Sequence, residues 1–285
     1  MIAPTRARAR FASAAERPLV IAHRGAWGLL PENSVPAIDA AARFDVIEID
    51  VRLAADGTPY LLHDDTLDRT VGSPVAADGL SQDQLRTARL LAGAGGPGAD
   101  ETDIPIPTLE DALSAGGSHA IFDLDVKRDE DLPRVAAWVE RHAARTRATL
   151  KIDVHRTEDI ERLLAIEARY GITVLAKALA QKPEDIELLR AIAQANVAAA
   201  EIWFSDLELV RAASAVGPVL TTYTLEIAHC AGLSDARARV HPETVWGALR
   251  GAGIGGIMTD LPAELDAFFA HSPVAAPKTA HHARR

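Results

Sequence analysis

Cysteine is nearly absent from this chain. Cys230 is the single one in 285 residues, which excludes an internal disulfide and any cysteine-rich metal site. An excess of positive charge is missing too. The formal net charge is -10 at pH 7, the wrong sign for a nucleic-acid binder and for docking on anionic membranes. No apolar run approaches the ~18 residues of a membrane span. The N-terminal stretch MIAPTRARARFASAAERP is basic at Arg6, Arg8 and Arg10 but lacks the apolar core of a secretory signal. The expectation is a cytoplasmic protein without a stable membrane anchor and without a nucleic-acid partner. Residues 1–17 read as a flexible segment. Residues 272–285 (SPVAAPKTAHHARR) read as a disordered tail with almost nothing to bury, and their His281–His282 pair is a metal-binding pattern by composition only.

What is present is core material: 48% of residues are hydrophobic and 25% charged, the balance of an ordered globular chain. Eight short apolar runs alternate with alanine-rich helical stretches. The runs are Leu19–His23, Val46–Val51, Ala120–Val126, Leu150–Val154, Ile172–Ala176, Glu201–Phe204, Val219–Thr224 and Ile254–Thr259. Helical patterns cover Ser34–Arg43, Leu109–Ala115, Asp131–Arg145, Thr157–Tyr170, Pro183–Gln194, Leu207–Val216 and Pro242–Ala252, with Ser34 and Thr157 as N-caps and Pro183 in a first turn. Strict alternation of strand and helix implies a parallel sheet covered by helices, and eight strands within one domain (18–271) favour a closed (β/α)8 TIM barrel, which typically takes about 250 residues. No glycine-rich dinucleotide fingerprint follows the first run. An insertion at about 53–107 breaks the rhythm. It begins as a hairpin over Leu53–Asp64 and continues through a long loop, Asp65–Pro107, with a flexible GAGGPG stretch at Gly93–Gly98. Loops of that length are lids or binding loops, expected here over the catalytic face.

Reactive groups of such barrels gather at the C-terminal ends of the strands. Those ends supply His23 and Arg24, Glu48 and Asp50, Asp123, Asp125 and Lys127, Lys151 and Asp153, Lys177, and Asp260. Side chains alternate between the faces of a strand, so Glu48 and Asp50 share one face while Ile47, Ile49 and Val51 turn to the helices. Inward carboxylates from adjacent strands form an all-oxygen cage suited to Mg2+ or Ca2+. Lys151 and Lys177 are either phosphate contacts or partners of Asp153. Aromatic residues are few. Trp27 follows the His-Arg-Gly turn and either walls a headgroup pocket or packs the first loop; Trp246 reads as core.

The segments HRGAWGLLPENSVPAIDAA (His23–Ala41) and IEIDVRLAADGTPYLLHDDTLDRTVG (Ile47–Gly72) resemble the glycerophosphodiester phosphodiesterases, as do IPTLEDAL (Ile106–Leu113) and MTDLP (Met258–Pro262). The resemblance implies His23 and His63 as general acid and base, and Glu48 and Asp50 as ligands of one divalent cation, Mg2+ or Ca2+. It implies Arg24 on the phosphate of a small phosphodiester. Where that family has Glu-x-Lys on the third strand, this chain has Asp125-Val126-Lys127, with Asp125 as third ligand and Lys127 near the phosphate. Asp-x-Lys is instead similar to the sphingomyelinase D and lysophospholipase D branch. The family's Ser-Phe after the fourth strand is replaced by Lys151-Ile152-Asp153. Three readings follow: hydrolysis of glycerophosphodiesters to glycerol 3-phosphate and an alcohol; a lysophospholipase D-like reaction that releases a cyclic phosphate, helped by an apolar rim of Leu80, Leu85, Leu90 and Leu91; or a binding protein without turnover.

Overall fold

A computed structural model describes residues 4–15 and 17–271; the expected tail at 272–285, with His281–His282, lies outside the described residues. The strands are β1 (Leu19–His23), β2 (Val46–Leu53), β3 (Pro59–Leu61), β4 (Arg89–Leu91), β5 (Glu101–Pro105), β6 (Phe122–Val126), β7 (Ala148–Asp153), β8 (Thr173–Ala180), β9 (Ala199–Phe204), β10 (Val219–Tyr223) and β11 (Gly256–Thr259). The helices are α1 (Arg6–Ala12), α2 (Val35–Ala41), α3 (Asp68–Val71), α4 (Gln82–Thr87), α5 (Leu109–Ala115), α6 (Leu132–Arg141), α7 (Thr157–Tyr170), α8 (Pro183–Gln194), α9 (Leu207–Ser214), α10 (Asp235–Val240), α11 (Ala248–Gly251) and α12 (Pro262–His271).

β1, β2 and β6 to β11 run parallel, and β1 pairs with both β2 and β11, so the sheet closes into the expected eight-stranded barrel. All eight anticipated runs lie on these strands. The pleat sorts them as alternation requires. Ile47, Ile49 and Val51 of β2 join the apolar layer between strands and helices, while Glu48 and Asp50 turn to the lumen and line its cavity. Ser34 caps α2, accepting from Ala37 N at 3.3 Å. Thr157 does not cap α7 but is its first helical residue. Asp159, at the third helical position, reaches back so that its Oδ2 accepts from the N–H groups of His155 and Arg156, at 2.9 and 3.1 Å.

The expected flexible N-terminus is a correction. Arg6–Ala12 form α1, whose Ala7 and Phe11 are fully buried. They pack, with Ala14, against Leu19, Ile21, Val46, Ile121 and Ala199, which closes the end of the barrel opposite the strand C-termini. The arginines supply the polar grip: Arg6 donates to the carbonyls of Ser118 and His119 at 2.7 and 3.0 Å, and Arg8 to that of Asn196 at 2.8 Å.

The insertion starts as the anticipated hairpin, β2 antiparallel to β3 with Val51 opposite Leu61. Beyond it, Leu80, Leu85 and Leu90 are buried with Tyr60, Leu62, Leu67 and Ile106 in a small core of their own. These three therefore form no apolar rim, and of the four leucines expected to supply one only Leu91 stays outside this core, half-buried. The GAGGPG stretch is also fixed rather than flexible. Gly93 O accepts from Glu32 N at 3.0 Å, Gly96 N donates to Arg69 O at 2.7 Å, and a Cβ at Gly95 would run into the Arg69 carbonyl. No helix among the described residues is long and apolar enough to cross a membrane.

Candidate active site

β1 ends in a turn that defines the site. Arg24 adopts φ 54° and Gly25 φ 90°, left-handed conformations that an L-residue such as Arg holds only under constraint and that concentrate at functional sites. Gly25 is required on steric grounds, because a Cβ there would lie 2.8 Å from the Ala37 backbone. The turn sends Arg24 back across the barrel mouth, where Glu32 Oε1 and Oε2 both accept from its Nη1 at 2.9 Å. Its Nε lies 3.0 Å from Asp50 Oδ2 in a contact of charges, since that N–H has no hydrogen-bond acceptor. The Pro-Glu-Asn motif thus positions the site: Glu32 holds Arg24, and Asn33 donates to Asp50 Oδ2 at 2.7 Å while accepting from Asp50 N at 3.1 Å.

One cavity of about 220 Å³ is lined by His23, Arg24, Glu48, Asp50, His63, Asp125, Lys127 and Lys151, and further by Lys177, Glu201 and Tyr223. Of the strand-end candidates, Asp123, Asp153 and Asp260 are not among the cavity walls, and neither is Trp27, whose indole N–H donates to the His23 carbonyl at 3.1 Å. Oxygens of Glu48, Asp50 and Asp125 lie within 4.8 Å of one another. Lys127 Nζ sits 2.5 Å from Asp50 and 2.7 Å from Asp125. Burial, and next the charge of Asp50, push Glu48 up to about 7. Burial acts on Asp50 in the same sense, but Lys127 and Arg24 outweigh it and bring that group below the usual carboxylate range. Asp125 is lowered against its burial by Lys127, Lys151 and Lys177. The cluster is short of positive charge at Glu48, and its hard oxygen donors fit a divalent cation.

Each histidine is oriented through Nδ1. His23 Nδ1 meets Asp260 Oδ1 at 2.7 Å, and His63 Nδ1 meets Asp64 Oδ1 at 2.6 Å, so Nε2 is the atom left to exchange protons. Their environments differ. Burial lowers His23, but the Asp260 hydrogen bond and the charge of Glu48 raise it further, with a net upward shift. Burial also lowers His63, and with Lys127 and Arg24 it outweighs the opposing pull of Asp50. Asp64 sits at about 2: burial alone would raise it, but hydrogen bonds from Arg69 and His63 prevail.

Several of these partners had no role in the sequence reading. Asp64 and Arg69 belong to the quoted motif, and Asp260 stands at a strand end. Arg69 spans Asp64, at 2.7 and 3.0 Å, and Glu32, at 2.7 Å. Lys151 pairs with Asp123 at 3.0 Å and Glu201 at 2.7 Å, not with Asp153. Lys177 makes the Asp153 contact, at 3.5 Å, and one with Asp125 at 3.6 Å.

Comparison with known proteins places this site in a family. The model of the glycerophosphoryl diester phosphodiesterase family matches residues 23–264. The chain is 30% identical over 141 residues to the glycerophosphodiester phosphodiesterase of Bacillus subtilis, covering 45% of this chain and 47% of that protein. It is 38% identical over 99 residues to Bacillus subtilis YqiK, an uncharacterized protein, and spans 39% of its length. With the probable glycerophosphodiester phosphodiesterase 2 of Mycobacterium tuberculosis it shares 29% identity over 250 residues, 85% of this chain and 87% of that one. Among solved structures, a glycerophosphoryl diester phosphodiesterase from Parabacteroides distasonis superposes with a TM-score of 0.73 at 21% identity, covering 96% of this chain and 94% of that chain. An Oleispira antarctica phosphodiesterase, solved with the product sn-glycerol-3-phosphate, gives 0.66 at 22%, with 89% and 97% covered. At those identities the superpositions speak for the fold, and the match over residues 23–264 speaks for kinship: the chain belongs to the glycerophosphoryl diester phosphodiesterase family.

Proposed function

We propose that the protein hydrolyses glycerophosphodiesters to glycerol 3-phosphate and an alcohol. The observation that carries this reading is the pair of histidines on one cavity, each steered at Nδ1 by a carboxylate, flanking four carboxylates and four cationic side chains. A divalent cation, Mg2+ or Ca2+, held by Glu48, Asp50 and Asp125, would offset the charge that builds on the phosphate oxygens. Arg24 and Lys127 add fixed positive charge beside the same oxygens.

The two histidines divide the proton work. His63, shifted downward, is the neutral imidazole that takes the proton of the attacking water. His23, shifted upward, holds a proton for the departing alkoxide. The bond from phosphorus to the alcohol oxygen breaks as the bond to the water oxygen forms, and each histidine ends in the protonation state its partner began with. Asp64 and Asp260 hold the rings in the required tautomers throughout.

The test is to incubate the purified chain with a panel of glycerophosphodiesters and lysophospholipids, with Mg2+, Ca2+ or EDTA, and to follow phosphorus by NMR. Glycerol phosphate that appears only with metal, and in neither His23→Ala nor His63→Ala, is the expected result. A cyclic phosphate would replace water by a neighbouring hydroxyl as nucleophile. No new resonance with any substrate would leave an untested diester where calorimetry shows metal binding, and a binding protein where it shows none.

A further inference from the structure

The catalytic cavity does not end at the catalytic groups. Lys177, Glu201 and Tyr223 also line a second pocket of about 180 Å³ at the ends of β7, β8 and β9. Its upper walls are Leu179 and Trp203. The two face each other across the β8–β9 pairing, one pleat above the Lys177–Glu201 pair. Alternation puts all four on the lumen side, because the intervening Ala178, Ala180, Ile202 and Phe204 belong to the layer under the helices. Leu179 and Trp203 are each 39% exposed, and Ile227, on the wall of the catalytic cavity, is 90% exposed. Large apolar side chains thus stand in water on the walls of both spaces.

The charged floor below them is already matched. Glu201 is paired with Lys151 at 2.7 Å, and Lys177 lies between Asp125 and Asp153 at 3.6 and 3.5 Å. An ionic head group would have to compete with these neighbouring opposite charges. An apolar group would only displace water from Leu179 and Trp203, which is favourable in proportion to the area covered.

We propose that this pocket is the subsite for one ester arm of the diester, and that it selects an alkyl or aryl arm over a short polar one. The proposal rests on the hydrolase reading above. The experiment is a homologous series of glycerol 3-phosphate esters with methyl, butyl, hexyl and octyl arms, assayed for kcat/KM. Each methylene taken into the pocket raises kcat/KM about fourfold, until the pocket is filled and the series levels. Trp203→Ala and Leu179→Ser flatten the series. Each variant is its own reference, since the slope is a ratio between substrates on one protein and a partly unfolded fraction cancels. A series that is flat in the parent chain overturns the proposal, and so does a slope that survives in both variants. Calorimetric titration with the matching glyceryl alkylphosphonates reads the same slope in Kd without turnover. A protein that hydrolyses no ester would therefore overturn the hydrolase reading alone, while the Kd series still decides the subsite.

Discussion

The two halves of the barrel mouth are built on different terms. Around β1, β2, β3 and β6 polar side chains fix one another in series: His63 by Asp64, Asp64 by Arg69, Arg69 and Arg24 by Glu32, and Asp50 by Asn33. This chain of alternating charges joins the turn after β1 to the loop after β3, and Arg69 also binds the Ala94 carbonyl at 2.5 Å, which fastens the insertion to it. Around β8, β9 and β10 the groups are looser. Lys177 has only long contacts, and Leu179, Trp203 and Ile227 meet solvent. The contrast separates two demands: proton transfer needs groups held to fractions of an ångström, whereas recognising a variable arm needs surface.

The most severe way to break the fixed half is at the imidazoles. His23→Ala and His63→Ala each lower kcat/KM by roughly 10²- to 10⁴-fold, with circular dichroism and melting temperature little changed. The two halves are tied together through Lys151, which is 4% exposed and links Asp123 of β6 to Glu201 of β9. Lys151→Met leaves two carboxylates without a counter-charge and costs about 3–5 kcal/mol in urea unfolding, so here the loss appears first as stability. Arg69→Gln uncouples His63 from the turn after β1 without touching either imidazole. We expect about a tenfold to hundredfold fall in kcat from misplacement, whereas Leu179→Ser acts on the preference among arms. The smallest effect is in pH. Glu48, at about 7, is largely protonated below that value and must release its proton to hold a cation. Cation affinity therefore rises with pH up to about 7, by at most about tenfold per unit. Calorimetry in two buffers of different ionisation enthalpy counts the released proton, and Glu48→Gln removes the dependence.

The sequence carried the barrel because the β-branched runs have the length and spacing of strands, and it carried the paired carboxylates because parity along a strand is a local property. Its failures were of other kinds. Leu80, Leu85 and Leu90 offered apolar surface, but whether that surface faces a substrate or itself is decided by the way α4, β4 and β5 fold back on Tyr60. The partners of Lys151 come from strands 28 and 50 residues away in the chain, beyond any motif. Other signals were present and unused. Trp203 is two residues from Glu201, so parity already set it on the lumen face. Ala7, Phe11 and Ala14 fall at i, i+4 and i+7, a helical stripe masked by the arginines between them.

That N-terminal helix has a consequence for the order of assembly. α1 leaves the ribosome before every strand it binds. Its docking site is made by Thr146, Ser118, His119, Asn196 and Thr173, the last through a 2.5 Å hydrogen bond between its hydroxyl and that of Thr5, and Ala14 lies beside Gly255 just before β11. That surface is complete only when most of the chain has been synthesised. Domains form cooperatively once their distant contacts are available, so a helix made before all the strands it binds is among the last elements to find its place.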